Sequence, residues 1–137
     1  MQSSTVVLID GGLSTALESL GSDLSTSLWS ADLLRNKQNQ NQIRAAHQLY
    51  IDAGAEIIIS SSYQLSYQGA HIVGWSKEEI YQALFLSTEL ARFDNKSVAA
   101  SIGPYGAYLA DGSEYKGNYG LSKDELKDFH RERLYTL

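Results

Sequence analysis

The sequence predicts an α/β fold built on a parallel sheet. Three observations carry that expectation. Three short runs are apolar and rich in β-branched residues, a helical pattern follows each, and every run stops at small, polar or turn-forming residues. Strand, helix, strand, helix, strand, helix is the order of a βαβ chain with right-handed crossovers.

In chain order, Val6-Val7-Leu8-Ile9 is the first run, and it ends in Asp10-Gly11-Gly12. Thr15-Ala16-Leu17-Glu18 has the spacing of a capping box for a short early helix. The polar stretch Asn36–Gln42 reads as a solvated loop leading into a helix over Asn41–Ala53. There Ile43, Ala46, His47, Tyr50 and Ala53 recur at helical spacing, and Gly54 supplies the stop. The second run, Ile57-Ile58-Ile59, ends in Ser60-Ser61-Ser62-Tyr63. A second long helix is expected over Lys77–Phe93, with Ile80, Ala83, Leu84, Ser87, Leu90 and Ala91 on one stripe. The third run, Ser97–Ile102, ends in Gly103-Pro104-Tyr105-Gly106. A last helix starts at Lys123, with Leu126, Phe129, Arg133, Leu134 and Leu137 on its stripe. Ser76-Lys77-Glu78-Glu79 and Ser122-Lys123-Asp124-Glu125 are capping boxes, in which serine accepts from a backbone N–H and glutamate reaches back. All three strands read as apolar on both faces. Three parallel strands leave two unpaired edges, so the pattern reads as part of a fold or as a chain that pairs with another.

Composition narrows the function. Among 137 residues, 43% are hydrophobic and one is proline, which argues against wholesale disorder. The net charge of -5 disfavours nucleic-acid binding by charge. Cysteine is absent, which excludes disulfides, thiolate catalysis and cysteine-held metal within this chain. No apolar run approaches the ~20 residues of a membrane span. The opening MQSSTVVLIDGG lacks a basic region and has too short an apolar core for a signal peptide, so a cytoplasmic setting is expected.

In parallel α/β folds, ligands sit beyond the C-terminal ends of the strands. Asp10-Gly11-Gly12, Ser60 to Gln64 and Gly103 to Gly106 should therefore meet at one opening. Asp10 is the only acid at a strand end; it is placed either to hold a ligand ammonium or to cap a tight turn. Trp29 and Tyr63 are expected near the same opening, as part of an aromatic cage for a cation or as packing of a loop lid. His47 falls on a buried stripe and reads as a packed, hydrogen-bonded core histidine; His130 reads as a packing or surface residue, and His71 as a loop residue. The glycine-punctuated stretch Gly103–Tyr119 carries four tyrosines and two acids, Asp111 and Glu114, and reads as an active-site loop. There is no G-x-G-x-x-G, no P-loop and no G-x-S-x-G, so nucleotide binding and serine hydrolysis have no support.

Taken together and in order, the motifs carry a family resemblance. They are Asp10-Gly11-Gly12 with Thr15 and Glu18, Leu28-Trp29-Ser30-Ala31, His47-x-x-Tyr50-x-x-Ala53-Gly54-Ala55, Ser62-Tyr63-Gln64, the block SIGPYGAYLADGSEY over 101–115, and Phe129-His130-Arg131. The chain resembles the N-terminal part of homocysteine S-methyltransferases, above all the S-methylmethionine-using branch. The resemblance implies a (β/α)8 barrel, of which residues 1–137 would form three βα units, a partial homocysteine-binding domain. It implies transfer of a methyl group from S-methylmethionine, or S-adenosylmethionine, to homocysteine, giving methionine. It implies zinc, which binds the homocysteine sulfur as a thiolate. By resemblance, Asp10, Gly11 and Gly12 contact the amino-acid end of homocysteine, Trp29 and Tyr63 line the donor side, and Gly103, Pro104 and Tyr105 shape the floor.

The departures set further expectations. The family holds zinc with three cysteines in the second half of the barrel, and this chain has none, so zinc is not expected to bind it. Glu132 stands where proline usually follows Phe-His-Arg, and Ser14 where glycine or alanine is common. The expectation is a truncated family chain, inactive alone and pairing with a missing C-terminal half. The alternative is a non-catalytic remnant that self-associates or binds a small ligand.

Overall fold

The computed structural model describes residues 6–137; residues 1–5, where the segment read for a leader begins, lie outside the described residues. The architecture is mixed α/β. Helix α1 (Leu13–Ser19) is followed by a 3-10 helix (Trp29–Arg35), α2 (Lys37–Asp52), β1 (Ile57–Ile59), α3 (Tyr67–Ile72), α4 (Lys77–Leu90), β2 (Ser97–Ala99), α5 (Tyr105–Leu109), a 3-10 turn (Ser113–Tyr115) and α6 (Lys123–Thr136).

The three expected strands line up in chain order and run parallel. Ile57, Ile58 and Ile59 pair with Ser97, Val98 and Ala99, and Ile9 forms a parallel bridge to Ile57 on the other side. The first run is thus reduced to one bridge, anchored by Leu8 O, which accepts from Glu56 and Ile57, and by Asp10 N, which donates to Ile57 O. Its burial departs from expectation: Val6, Val7, Leu8 and Ile9 are all at least half exposed. A parallel strand is apolar throughout where elements cover both its faces, and none of the described elements covers this run.

The sheet is covered on one face. Ile58 is fully buried and packs with Ala55, Ala91, Tyr50, Ile51 and Val98, at the ends of α2 and α4. Its neighbours Ile57 and Ile59, which point the other way, are only half-buried. The larger core lies among the helices, where Leu17, Leu34, Ile43, Leu65, Trp75, Ile80 and Leu84 interlock.

The helix ends follow local chemistry. Ser76 with Glu79 and Ser122 with Glu125 each form the full reciprocal capping box. Asn36 accepts from Gln38 N at 2.8 Å, so α2 starts at Lys37 and absorbs the stretch read as a loop. Thr15 is inside α1 and caps nothing; the N-cap there is Gly12. Gly54 takes φ +105 and ends α2 as expected. Helix α4 stops at Leu90, where Arg44 Nη1 donates to the carbonyls of Leu90 and Arg92. The third run is a strand only to Ala99, and His71 lies on the short helix α3 rather than in a loop. Among the described residues, no helix is long and apolar enough to cross a membrane.

Candidate functional site

Beyond Ile59 and Ala99 the ladder continues by other means. Ser60 N donates to Ala99 O at 2.9 Å, but the next links use side chains. Ser101 N donates to Ser60 Oγ at 2.9 Å, and Ser62 Oγ donates to Ser101 O at 2.8 Å. With the Ser62 proton committed, the 2.7 Å contact between the two hydroxyls has Ser60 as donor. Hydroxyls thus replace backbone amides at the C-terminal rim of the sheet.

That rim opens into a cleft of about 210 Å³. Gly11, Gly12, Leu13 and Ser14 line it, as do Trp29 and Ser30. Ile59, Ser60, Ser61, Tyr63, Gln64 and Ser101 complete it. The first two strand ends and the connection carrying Trp29 therefore do converge. Pro104 and Tyr105 are outside this wall, and Gly103 stands behind it.

Asp10 is buried, and its roles as turn cap and as ligand group both keep a structural basis. Oδ2 accepts from Ile59 N at 2.9 Å, which fixes the carboxylate across the strand end. Oδ1 is buried and meets no partner among the described residues. Burial raises the Asp10 pKa above the usual carboxylate value, against the lowering effect of the Ile59 and Asp10 amides. A cation at Oδ1 would satisfy the orphaned oxygen and favour the charged form. Gly12 is held from behind by Tyr50, whose hydroxyl donates to Gly12 O at 2.8 Å. A Cβ on Gly11 would lie 3.0 Å from the Tyr50 ring, so the closeness of that ring favours glycine there.

Trp29 opens its 3-10 helix with φ +47, a left-handed backbone uncommon for a large residue, and leaves half its surface exposed. Tyr63 is similarly exposed; burial first, then Glu114, pushes its hydroxyl pKa upward, so it stays protonated at neutral pH. Two aromatic residues lining the same cleft fit the cage reading. The Tyr63 carbonyl accepts from Gly103 N at 3.1 Å, and a Cβ on Gly103 would fall 2.3 Å from that oxygen. Gly103 therefore acts by letting its loop approach Tyr63.

Three of the four tyrosines of the 103–119 stretch pack together while Tyr115 is exposed, and the stretch contains α5 and the Ser113–Tyr115 turn. Tyr105 lies 5.2 Å from Tyr108 and 5.5 Å from Tyr119, and meets Phe129 edge-on at 4.9 Å. Gly106 gives close passage to the backbone of Ser113 and Glu114. Gln64 Nε2 donates to Ala107 O, joining this loop to the cleft. Asp111 caps Ser113 N at 2.9 Å and is exposed; Glu114 Oε2 is buried without a partner among the described residues.

Arg133 was read only as a stripe residue, and the structure gives it a larger part. It is buried, donates to the carbonyls of Leu65 and Gly103, and touches His130 Nδ1 at 2.6 Å. Guanidinium only donates, so Nδ1 accepts and the neutral His130 ring carries its proton on Nε2. Burial lowers the Arg133 pKa to about 10, which leaves it charged at neutral pH. The one sequence signal was a charged residue at an apolar position of a helix. His47 corrects an expectation: it is fully buried, but neither ring nitrogen has a partner among the described residues, and burial, then Arg44, lowers its pKa to about 4.

No base–nucleophile pair lines the cleft, and no group of three or more His, Cys, Asp or Glu able to hold a metal is found among the described residues. With no cysteine in the sequence, the residues present do not fit a thiolate zinc site. A wider open hollow of about 600 Å³ is built by α6 side chains alone, including Leu126, His130 and Leu134. It contains no strand-end residue. The cleft presents two aromatic rings to a cation and serine hydroxyls as polar groups, while Asp10, bonded to the Ile59 amide, is buried and is not among its lining residues.

Comparison with known proteins bears on this geometry. The model of the family described as homocysteine S-methyltransferase matches residues 7–137. Homocysteine S-methyltransferase 2 of Zea mays is 46% identical over 96% of this chain and 44% of its own length. Homocysteine S-methyltransferase YbgG of Bacillus subtilis is 41% identical over 96% of this chain and 46% of its own. The crystal structure of the homocysteine methyltransferase MmuM from Escherichia coli, metallated form, superposes with a TM-score of 0.87 at 39% identity, covering 96% of this chain and 49% of that one. The chain thus spans about half the length of the relatives it matches.

Proposed function

The chain belongs to the homocysteine S-methyltransferase family, and from that premise we propose that its cleft binds homocysteine and a sulfonium methyl donor for transfer of the methyl group to the homocysteine sulfur. The observation that carries the reading is the convergence of Gly11, Gly12, Trp29 and Tyr63 on one opening at the strand ends. Asp10 takes the homocysteine ammonium at Oδ1. Trp29 and Tyr63 face the sulfonium of S-methylmethionine or S-adenosylmethionine. Gly103 to Tyr105 support the Tyr63 side from behind.

In the transfer, the homocysteine thiol loses its proton to solvent and its sulfur attacks the methyl carbon. The electron pair of the breaking C–S bond stays on the donor sulfur, which becomes a neutral thioether. The donor's positive charge disappears in this step, so aromatic faces that hold the sulfonium hold the product less tightly. Activation of the thiol is not assigned to this chain, whose residues do not fit the family's zinc.

Consecutive parallel strands, helices packed on one sheet face and a half-buried opposite face support a (β/α)8 barrel, of which residues 1–137 form three units. A cytoplasmic setting suits a thiol substrate that must remain reduced.

The test is binding and complementation. Calorimetry should show L-homocysteine binding to the chain. Mixing with a separately produced C-terminal half of a relative should restore methionine formation in the presence of zinc. Absence of both results would reject the reading, and activity of the chain alone would reject the need for a second half. The exposed Val6–Ile9 edge favours a second reading, self-association of a non-catalytic chain. A size-exclusion series over concentration would show it as a mass that rises with loading.

A further inference from the structure

The protons of the Arg133 guanidinium tie α6 to the cleft. Nη1 donates to Leu65 O at 3.1 Å. Of the two Nη2 protons, one goes to Gly103 O and the other to His130 Nδ1, 2.6 Å away. The carbonyls held in this way bracket Tyr63. Leu65 N donates to Ser62 O at 3.0 Å, closing a turn around Tyr63 and Gln64, and Gly103 N donates to Tyr63 O at 3.1 Å. There is no slack at that contact, since a Cβ on Gly103 would strike the Tyr63 oxygen. Tyr63 in turn lines the cleft. His130, Arg133, Gly103 and Tyr63 thus form one line of bonds from the outer face of α6 to the ligand opening.

His130 is the outer end of that line. Its ring meets Phe129 edge-on at 5.0 Å and also lines the open hollow on α6, where water reaches it. With Nε2 carrying the ring proton, the next proton enters at Nδ1, the nitrogen that faces Arg133. The imidazole then turns from acceptor to donor and sets a second cation against the guanidinium. Arg133 does not yield its own proton, because burial brings its pKa only to about 10. The other charges nearby do not offset the conflict. On α6, Lys123 lines the same hollow, Lys127 is paired with Asp124, and Arg131 is paired with Asp128. Helix α4 brings Lys77, paired with Glu132. Helix α3 and the 103–119 stretch bring the neutral phenols of Tyr67, Tyr105 and Tyr108. Burial, then Arg133, holds the His130 pKa below its ordinary 6.5, so the neutral ring belongs to the intact clamp.

We propose that His130 is a positioning residue for the cleft. Neutral, its Nδ1 orients the Arg133 fork onto the Leu65 and Gly103 carbonyls and so fixes Tyr63. Protonated, it turns Arg133 away, the two loops part, and the cleft loosens its hold on a ligand held by Tyr63. Acid at the outer face of α6 is thereby felt at the strand ends. The coupling stands on the contacts themselves; its effect on a ligand rests on the sulfonium reading above.

The test follows the ¹⁵N,¹³C-labelled chain by NMR from about pH 7.5 to about pH 5, the range in which histidine titrates. The Gly103 and Leu65 amide signals should move with the same midpoint as the His130 ring signals, below pH 6.5. His130→Asn places a side-chain oxygen where Nδ1 accepts and does not titrate, so both amides should stay still. In calorimetry with S-methylmethionine, wild-type affinity should fall about fivefold over the same range, the effect of losing one hydrogen bond. His130→Asn should hold its affinity throughout. His130→Phe, which has no acceptor, should bind about fivefold more weakly at both ends of the range; if it fails to fold, His130→Asn carries the comparison. Wild-type amides that ignore the His130 titration overturn the proposal, as do amides that move equally in His130→Asn. An acid loss of affinity that persists in His130→Asn also overturns it and places the effect at Asp10 or His47. If the wild-type chain does not bind S-methylmethionine at about pH 7.5, the sulfonium reading fails, and the amide titration decides the coupling by itself.

Discussion

Arg133 Nη1 donates to the carbonyl of Leu65 at 3.1 Å, joining the last helix to the loop that follows the second strand. A second donation, to Gly103, holds the loop after the third strand. One guanidinium on α6 thereby sets the spacing of two strand-end loops.

Removing that clamp should be costly. Arg133→Ala leaves two buried carbonyls short of a charged donor, and we expect a loss of about 2–4 kcal/mol in urea denaturation. Arg133→Lys should rescue little, because one ammonium does not reproduce the planar fork that reaches both carbonyls. Full stability in Arg133→Ala would show that the loops hold themselves.

Gly103→Ala should destabilise through overpacking alone. Its Cβ would sit 2.3 Å from the Tyr63 carbonyl oxygen and 3.2 Å from Ala107 Cβ. The expected loss is about 1–3 kcal/mol, with Tyr63 displaced and ligand affinity reduced. A melting temperature equal to that of the parent would contradict the close approach.

Acid should weaken the fold through His47. Its pKa drops from 6.5 in the unfolded chain to about 4 in the folded one, so the unfolded state binds more protons between those values. This contribution to stability is intact above pH 6.5 and is lost as the pH falls towards 4, to the extent of about 3 kcal/mol. His130, also lowered, acts in the same sense, and Asp10, raised, acts in the opposite one. His47→Leu should flatten the dependence between pH 6.5 and 4, measured by urea denaturation at several pH values. An unchanged slope in that variant would place the effect elsewhere.

Trp29→Ala should weaken binding of S-methylmethionine by about tenfold while changing affinity for neutral methionine little, because a cation over an aromatic face is worth about 1–2 kcal/mol when desolvated. Trp29→Phe should recover part of the loss. Equal effects on both ligands in calorimetry would reduce Trp29 to packing.

Much of this was legible in the residues. Ile57-Ile58-Ile59 and the two serine–glutamate boxes are local signals, and here the fold kept them. Gly11, Gly12, Trp29 and Tyr63 could be placed at one opening because parallel strands put their ends on one side. Other features needed the folded chain. Helix α3 is six residues long with one buried position, Ala70, too short for periodicity to register. Asn36 acts as a cap only because the helix begins one residue later, so a polar run looked like a loop. Arg133 and the links among Ser60, Ser62 and Ser101 join residues about 30 to 70 positions apart, and no local pattern encodes them. Val6–Ile9 announced a strand wanting neighbours, and their positions are not encoded in the run itself.

The serines that finish the sheet leave it with a lip unlike its body. An amide ladder yields only when backbones separate, whereas a hydroxyl lets go and re-forms its link by turning about a single bond. The mouth of the molecule can therefore adjust to whatever enters it while the strands beneath keep their alignment.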